Sequence, residues 1–333
     1  MRRVLDGLIE GALALRPAAY ARGWLRQSRL AGPVVSVGNL SVGGNGKTPV
    51  VRRVAEMLMD AGQSVSVLSR GYGGSFDGDV LVVGDGGGAL ASADLAGDEP
   101  VMLARSLVGA VVAVGRRREV VGRAVEAQFG PRTHVLDDGF QHLRLARDLD
   151  LVCLDVADLD DRPLPLGRLR EGPRALGRAD LVLLTRVEAA AEEQVRAIEQ
   201  RLGPQRVHRV TRRVLGFRSL DGRPAERPAR AFLLAAIARP SRLEWDVAGG
   251  GTLIVGRSFF RDHHRFRADE IGTAAARARA AEADAVVTTA KDAVRLEGLP
   301  ETALPVLVLE IAAEIGDEAR FRDRLLAAVQ GRG

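Results

Sequence analysis

The chain has 333 residues, 46% of them hydrophobic and 27% charged, with a mean hydropathy near zero, which excludes a disordered, collagen-like or multi-span membrane protein. Its single cysteine, Cys153, leaves no partner for an intramolecular disulfide and no material for a zinc cluster, which favours a reducing compartment. Basic residues number 48 against 43 acidic ones, a formal charge of +5, and all but Lys47 and Lys291 are arginine.

The length corresponds to roughly two domains. Residues 1–30 carry Val4, Leu5, Leu8, Ile9, Ala12, Leu13 and Leu15 at helical spacing, beside Arg2, Arg3, Arg16, Arg22, Arg26 and Arg29. Asp6, Glu10 and Pro17 interrupt the run, so it is too short and too polar to span a bilayer, and no signal-peptide pattern is visible. Two readings stand: a basic amphipathic helix on an anionic membrane surface, or a helix packed on its own domain.

From residue 33 the sequence reads as a strand, a glycine-rich loop and a helix over 50–58. Short apolar runs follow at 65–68, 80–83, 111–114, 134–136, 149–154 and 181–184, with helical segments between several of them. This alternation predicts a largely parallel sheet built from βα units through about residue 211. Arg, Pro and Gly cluster over 212–230, read as a linker or hairpin. Beyond it, strands are expected at 231–237, 252–255, 285–288 and 306–309, with a helix over 271–283. The expected architecture is α/β: a P-loop NTPase-like α/β/α domain over 31–211 and a second, smaller α/β domain over 231–330.

The loop Ser41-Val42-Gly43-Gly44-Asn45-Gly46-Lys47-Thr48 ends as a P-loop does, with Ser41 where the strict pattern has glycine. Glycines let backbone N–H groups turn around phosphate oxygens, and the following helix presents its positive end. Lys47 is expected to reach the β and γ phosphates of ATP and the Thr48 hydroxyl to bind Mg²⁺. Asp137 and Asp138 close an apolar strand, where a P-loop protein places an acid for the metal; a turn-capping role is the plainer alternative. Gly97-Asp98-Glu99-Pro100 reads alone as an acidic cap before a helix starting near Val101. Asp262-His263-His264 could be a metal site, a base or a surface turn, and adjacent histidines point apart on most backbones, which weakens the metal reading.

Together these segments resemble the tetraacyldisaccharide 4′-kinases of lipid A biosynthesis. The residues that carry the resemblance are Val35-Ser36-Val37-Gly38-Asn39-Leu40 running into the Gly-Lys-Thr-Pro loop, Leu68-Ser69-Arg70-Gly71-Tyr72-Gly73, Gly97-Asp98-Glu99-Pro100, Leu136-Asp137-Asp138-Gly139-Phe140-Gln141-His142, Asp262-His263-His264 and Thr289-Ala290-Lys291-Asp292-Ala293-Val294. They run in family order from about residue 33 to 296. The resemblance implies Mg²⁺-dependent transfer of the ATP γ-phosphoryl group to the 4′-hydroxyl of an acylated glucosamine disaccharide 1-phosphate lipid. It further implies a peripheral or monotopic position at the cytoplasmic face of the bacterial inner membrane. Asp98 with His263 looks like the family's paired base, and Arg70, Tyr72, His142 and Arg170 are candidates for substrate or phosphate contacts. The sequence departs from the family pattern at Asn45, at Gly74-Ser75, at Ala236 and at Leu243; Lys291 keeps the family's Lys-Asp pair without an evident role.

A P-loop NTPase serving as a switch or metallochaperone is the alternative, and that class does not require the Asp98–His263 pair. Nucleic acid is not an expected partner, because the arginines alternate with acids and aromatics make up only 4%. No obligate protein partner is expected.

Overall fold

The computed structural model describes residues 2–43, 46–296 and 303–331; Gly44 and Asn45 of the glycine-rich loop lie outside them, as do the side chains of residues 2–8 and 10. In chain order the first half comprises α1 (Arg2–Ala21), β1 (Val34–Asn39), α2 (Lys47–Asp60), β2 (Val65–Ser69), β3 (Leu81–Gly84), α3 (Ala93–Ala96), α4 (Asp98–Ser106), β4 (Val111–Val114), α5 (Arg118–Phe129), β5 (Thr133–Asp137), β6 (Leu149–Asp155), β7 (Leu181–Thr185) and α6 (Glu192–Leu202). There follow β8 (Val207–Ser219), β9 (Pro224–Ala225), β10 (Arg230–Ala235), α7 (Pro240–Ala248), β11 (Leu253–Phe259), α8 (Ala268–Ala280), β12 (Ala285–Thr289), α9 (Ala290–Ala293), β13 (Val306–Ile315) and α10 (Glu318–Gln330).

The strands form one sheet in the order β11-β10-β12-β13-β8-β7-β6-β1-β5-β2-β4-β3, with β9 paired to β8. Central strands β1, β5, β6 and β7 pair in parallel and are buried along their whole length, which is why apolar residues fall on both of their faces. Val50, Val51, Val54, Ala55, Met57 and Leu58 form the buried stripe of α2. Asn39 at the end of β1, Asp137 at the end of β5 and Asp155 at the end of β6 therefore open on one edge of the sheet, where ligands of parallel α/β folds bind.

The stretch read as a linker is half strand. β8 runs 13 residues; Val207–Val210 pairs in parallel with β7, and Val210–Ser219 pairs antiparallel with β13. Its arginines hid the alternation because they face outward onto carboxylates: Arg213 bonds Glu314 at 2.9 Å and Arg218 bonds Glu310 at 2.6 Å. The hairpin reading of 212–230 matches the antiparallel β8–β9 pair. Helix α10 returns to the first half: Phe321, Leu325 and Val329 share a core with Val50, Val54 and Leu58 of α2, although the sequence groups α10 with the second half.

Eight strand intervals separate β12 from β4, about 38 Å along the sheet at ~4.8 Å each. Twist of roughly 20–25° per interval accumulates to about half a turn over that distance. Helix α4, beside β3 and β4, consequently meets α9, which follows β12.

Candidate active site

The phosphate end is built on β1 and β5. Lys47, the first residue of α2, follows Gly46 at φ 75, a conformation suited to glycine. Its Nζ donates to Asn39 Oδ1 at 2.9 Å and lies 2.9 Å from Asp138 Oδ1, while Arg170 Nη1 holds Asp138 Oδ2 at 2.7 Å. Burial works to raise the Asp138 pKa, but Lys47 and Arg170 outweigh it and hold the carboxyl below its ordinary range. Asp138 itself sits at φ 58, a left-handed position that costs a non-glycine residue about 1 kcal/mol and lets successive carboxylates leave the strand toward one space.

Asp137 is buried, 2% exposed, at the edge of the cavity. Its Oδ2 accepts from Ser69 Oγ at 3.1 Å, and its Oδ1 is buried without a hydrogen-bond partner. Burial, then the nearby charges of Glu99 and Asp138, push this carboxyl up to about 7 against the pull of Lys47. Ser41 turns inward: its Oγ donates to Asp158 Oδ2 at 2.8 Å and the residue is 1% exposed. Its side chain therefore anchors the loop rather than facing a phosphate, which explains why serine serves where the strict motif has glycine.

A second group assembles from both halves. Asp98 opens α4, three residues earlier than the sequence suggests, behind Gly97 at φ 92. A Cβ on Gly97 would come within 2.4 Å of the Tyr72 carbonyl oxygen, so only glycine permits this entry. Asp98 Oδ2 lies 3.0 Å from His263 Nδ1, a contact spanning 165 residues. His263 occupies a left-handed position at φ 62 in the turn after β11, with its ring edge-on to Tyr72 at 5.6 Å. Its Nε2 is 3.2 Å from Lys291 Nζ, whose other partner is Asp262 Oδ1 at 2.7 Å. A carboxylate only accepts and an ammonium only donates, so Nδ1 carries the hydrogen and Nε2 the lone pair. That tautomer is the one a general base needs.

His264 faces away, bonding Glu270 at 2.8 Å and stacking on Phe260. The two histidines diverge, and among the described residues no three His, Cys, Asp or Glu side chains converge as a metal site.

Arg295 escaped the sequence reading. Its Nε donates to Asp98 Oδ1 and its Nη1 to the carbonyl oxygens of His263 and His264, the latter at 2.8 Å. Burial works against the charge on Asp98, but the hydrogen bonds from His263 and Arg295 win and hold its pKa below the ordinary value. Arg295→Met is expected to cost about 3 kcal/mol of stability, because it strands a buried carboxylate, and to lower turnover about tenfold with nucleotide binding kept. Urea unfolding and steady-state kinetics measure both, and unchanged turnover would remove Arg295 from the site.

The phosphate end and the His263–Lys291 pair face one cavity of ≈ 1230 Å³. Its wall includes Gly43, Gly46, Lys47, Thr48, Asp137 and Asp138 at the phosphate end, and Arg70, Tyr72, Arg170, His263 and Lys291 beyond them. Asp98 is 1% exposed and does not reach the surface of the cavity, so it acts on His263. His142 is not brought to the wall; its Nε2 bonds Glu119 at 3.3 Å, and burial, aided by Arg118, pushes its pKa down to about 4. The last residue of the motif therefore turns onto Glu119 and away from the cavity.

Comparison with known proteins agrees with this geometry. A family model for "Tetraacyldisaccharide-1-P 4'-kinase" matches residues 2–330. A tetraacyldisaccharide 4′-kinase of Anaeromyxobacter sp. (strain Fw109-5) is 45% identical over 306 residues, covering 87% of this chain and 81% of that protein. One from Koribacter versatilis (strain Ellin345) is 38% identical, covering 98% of each. Among solved structures, LpxK from Aquifex aeolicus in complex with ATP superposes with a TM-score of 0.80 at 28% identity, covering 98% of this chain and 97% of that one.

Proposed function

The chain belongs to the tetraacyldisaccharide-1-P 4′-kinase family, and from that premise we propose that its cavity passes the ATP γ-phosphoryl group to the 4′-hydroxyl of a tetraacyldisaccharide 1-phosphate lipid. The observation that carries the assignment is the cavity itself, whose wall holds both a phosphate-loop lysine and an imidazole whose Nε2 carries the ring's lone pair. A switch or metallochaperone has no use for that imidazole, so the kinase reading is favoured over the alternative.

In this reading the loop around Gly43 and Gly46 and the start of α2 receive the phosphates, with Lys47 on the β and γ groups. Val42, Gly43, Gly46 and Thr48 supply the rest of the described cradle, while Gly44 and Asn45 lie outside the described residues. His263 Nε2 accepts the hydroxyl proton as the acceptor oxygen bonds to phosphorus, and Asp98 holds the ring and steadies the charge it gains. Arg70, Tyr72 and Arg170 line the space for acceptor and phosphate.

The residues present fit Mg²⁺. Asp137 Oδ1 is a buried oxygen lacking a hydrogen-bond partner, Asp138 follows it in the chain and Thr48 lines the same cavity, and hard oxygen donors of this kind suit magnesium carried with a nucleotide. Thr48, Asp137 and Asp138 would hold the ion, which when bound neutralises charge on the phosphate oxygens.

Mixing the purified protein with Mg²⁺, ATP and the disaccharide 1-phosphate lipid in detergent micelles tests the reading by mass spectrometry. Bis-phosphorylated lipid is expected, and its formation should stop with excess EDTA. Nucleotide hydrolysis without lipid phosphorylation would instead support the switch.

The acceptor's acyl chains keep it in a bilayer, and α1 is suited to meet it there. No helix among the described residues is long and apolar enough to cross a membrane. Leu15, Trp24 and Leu25 are exposed, with Arg16 over Tyr20 and Arg22 over Trp24, a mixture of apolar, aromatic and basic groups that suits an anionic interface. Arg16 also reaches the Gln141 carbonyl oxygen at 3.5 Å, and Gln27 donates to the Leu143 carbonyl at 2.8 Å, placing this segment against the site's own Asp-Asp-Gly-Phe-Gln-His turn. This reading has the protein peripheral or monotopic at the cytoplasmic face of the inner membrane. Removing residues 1–25 is expected to reduce flotation with anionic liposomes severalfold, and undiminished flotation would refute the interfacial role.

A further inference from the structure

The two lysines of this arginine-rich chain line the same cavity. Lys47 belongs to the phosphate loop. Lys291, on α9 at the end of β12, bridges Asp262 Oδ1 at 2.7 Å and His263 Nε2 at 3.2 Å. Its ammonium thus occupies the lone pair that the acceptor hydroxyl must reach, and the hydroxyl can bond to Nε2 only when Nζ moves off. A compact ammonium on a flexible four-carbon stem can make that move, whereas a guanidinium presents a rigid planar fork in place of a point charge. The carboxylate of Asp262 keeps the displaced charge near the reacting atoms.

Resting on the kinase reading above, we propose that Lys291 is a second phosphate-directed ammonium, which yields His263 Nε2 to the acceptor hydroxyl and turns onto the phosphoryl group being transferred. The acceptor oxygen forms its bond to the γ-phosphorus as the bond from that phosphorus to the β–γ bridging oxygen breaks. The hydroxyl proton passes to His263 Nε2, and the electron pair of the broken bond leaves with ADP. Lys291 keeps its protons throughout and supplies positive charge on the acceptor side of the phosphorus, across from Lys47. It is thereby a catalytic residue, and it holds the base out of contact with other proton donors before the acceptor arrives.

Lys291→Ala, Lys291→Arg and Asp262→Asn, assayed with Mg²⁺, ATP and the lipid acceptor, test the assignment. Lys291→Ala is expected to lower kcat about 10²–10³-fold with the KM for ATP within about threefold of wild type. Ethylammonium in the buffer should restore part of that loss in a saturable way, Lys291→Arg should recover less than about a tenth of wild-type turnover, and Asp262→Asn should lose no more than about fivefold. Binding of a fluorescent ATP analogue by Lys291→Ala verifies that the variant is folded. The proposal is overturned if Lys291→Ala retains turnover near wild type. It is equally overturned if Lys291→Ala and Asp262→Asn lose the same activity without adding in the double variant and without amine rescue, the pattern of a lysine that only braces its turn. Failure of the kinase reading looks different, since the wild-type protein would then form no bis-phosphorylated lipid.

Discussion

Asp98→Asn and His263→Ala should each lower kcat by about 10²–10⁴-fold while ATP binds as before. His263→Ala deletes the ring nitrogen that takes the hydroxyl proton once the Lys291 ammonium has moved off it. Asp98→Asn acts more indirectly. The asparagine oxygen can still accept from Nδ1, but its amide can also donate there, which moves the hydrogen to Nε2 and leaves the base with the wrong tautomer. It also leaves Arg295 facing a neutral group where it had a buried carboxylate. Asp98 does not reach the cavity surface, so nucleotide affinity has no reason to change. Steady-state turnover at saturating ATP, paired with calorimetric titration of the nucleotide, separates the two quantities. Near wild-type turnover in either variant would exclude that residue from the base.

Lys47→Met strikes the other end of the cavity and should damage both binding and chemistry. The ammonium is fixed between Asn39 Oδ1 and Asp138 Oδ1, so it reaches a phosphate without first being ordered. It also offsets the concentration of negative charge at Asp137, Asp138 and Glu99, and without it a polyanion would enter against uncompensated carboxylates. Turnover is expected to fall at least about 10³-fold and ATP affinity at least about tenfold. Lys47→Arg should restore little, because a planar fork does not fit a loop shaped around a point charge. If a fluorescent nucleotide bound to Lys47→Met with unchanged affinity, the loop around Gly43 and Gly46 would not be the phosphate cradle.

What could be read in advance depended on how local the signal was. The β1 strand, the glycine loop, Lys47, Thr48 and the two strand-end aspartates lie within short segments whose periodicity and composition encode their shape. Asp98 and His263 are 165 residues apart, and nothing in either segment's spacing joins them; the family resemblance paired them, and the twist of the sheet supplies the physical reason. Arg295 was illegible because arginine is so frequent here that one more carries no signal. The same surplus disguised β8, whose outward arginines made a strand look like a linker. His142 lies off the cavity wall. It stands beside true cavity residues in sequence, but the turn after Asp138 carries it inward to Glu119, so adjacency in a motif did not amount to a shared environment.

The meeting of α4 with α9 has a consequence for where the base is assembled. The sheet runs one way around the cavity, and the bonds among Asp98, His263 and Arg295 complete the circuit on the other side. The imidazole comes from one half of the chain and the carboxylate that orients it from the other, so parting the halves dismantles the base. The dyad is thus complete only where the two halves meet, whereas Lys47 and the aspartates of the phosphate end all come from the first half.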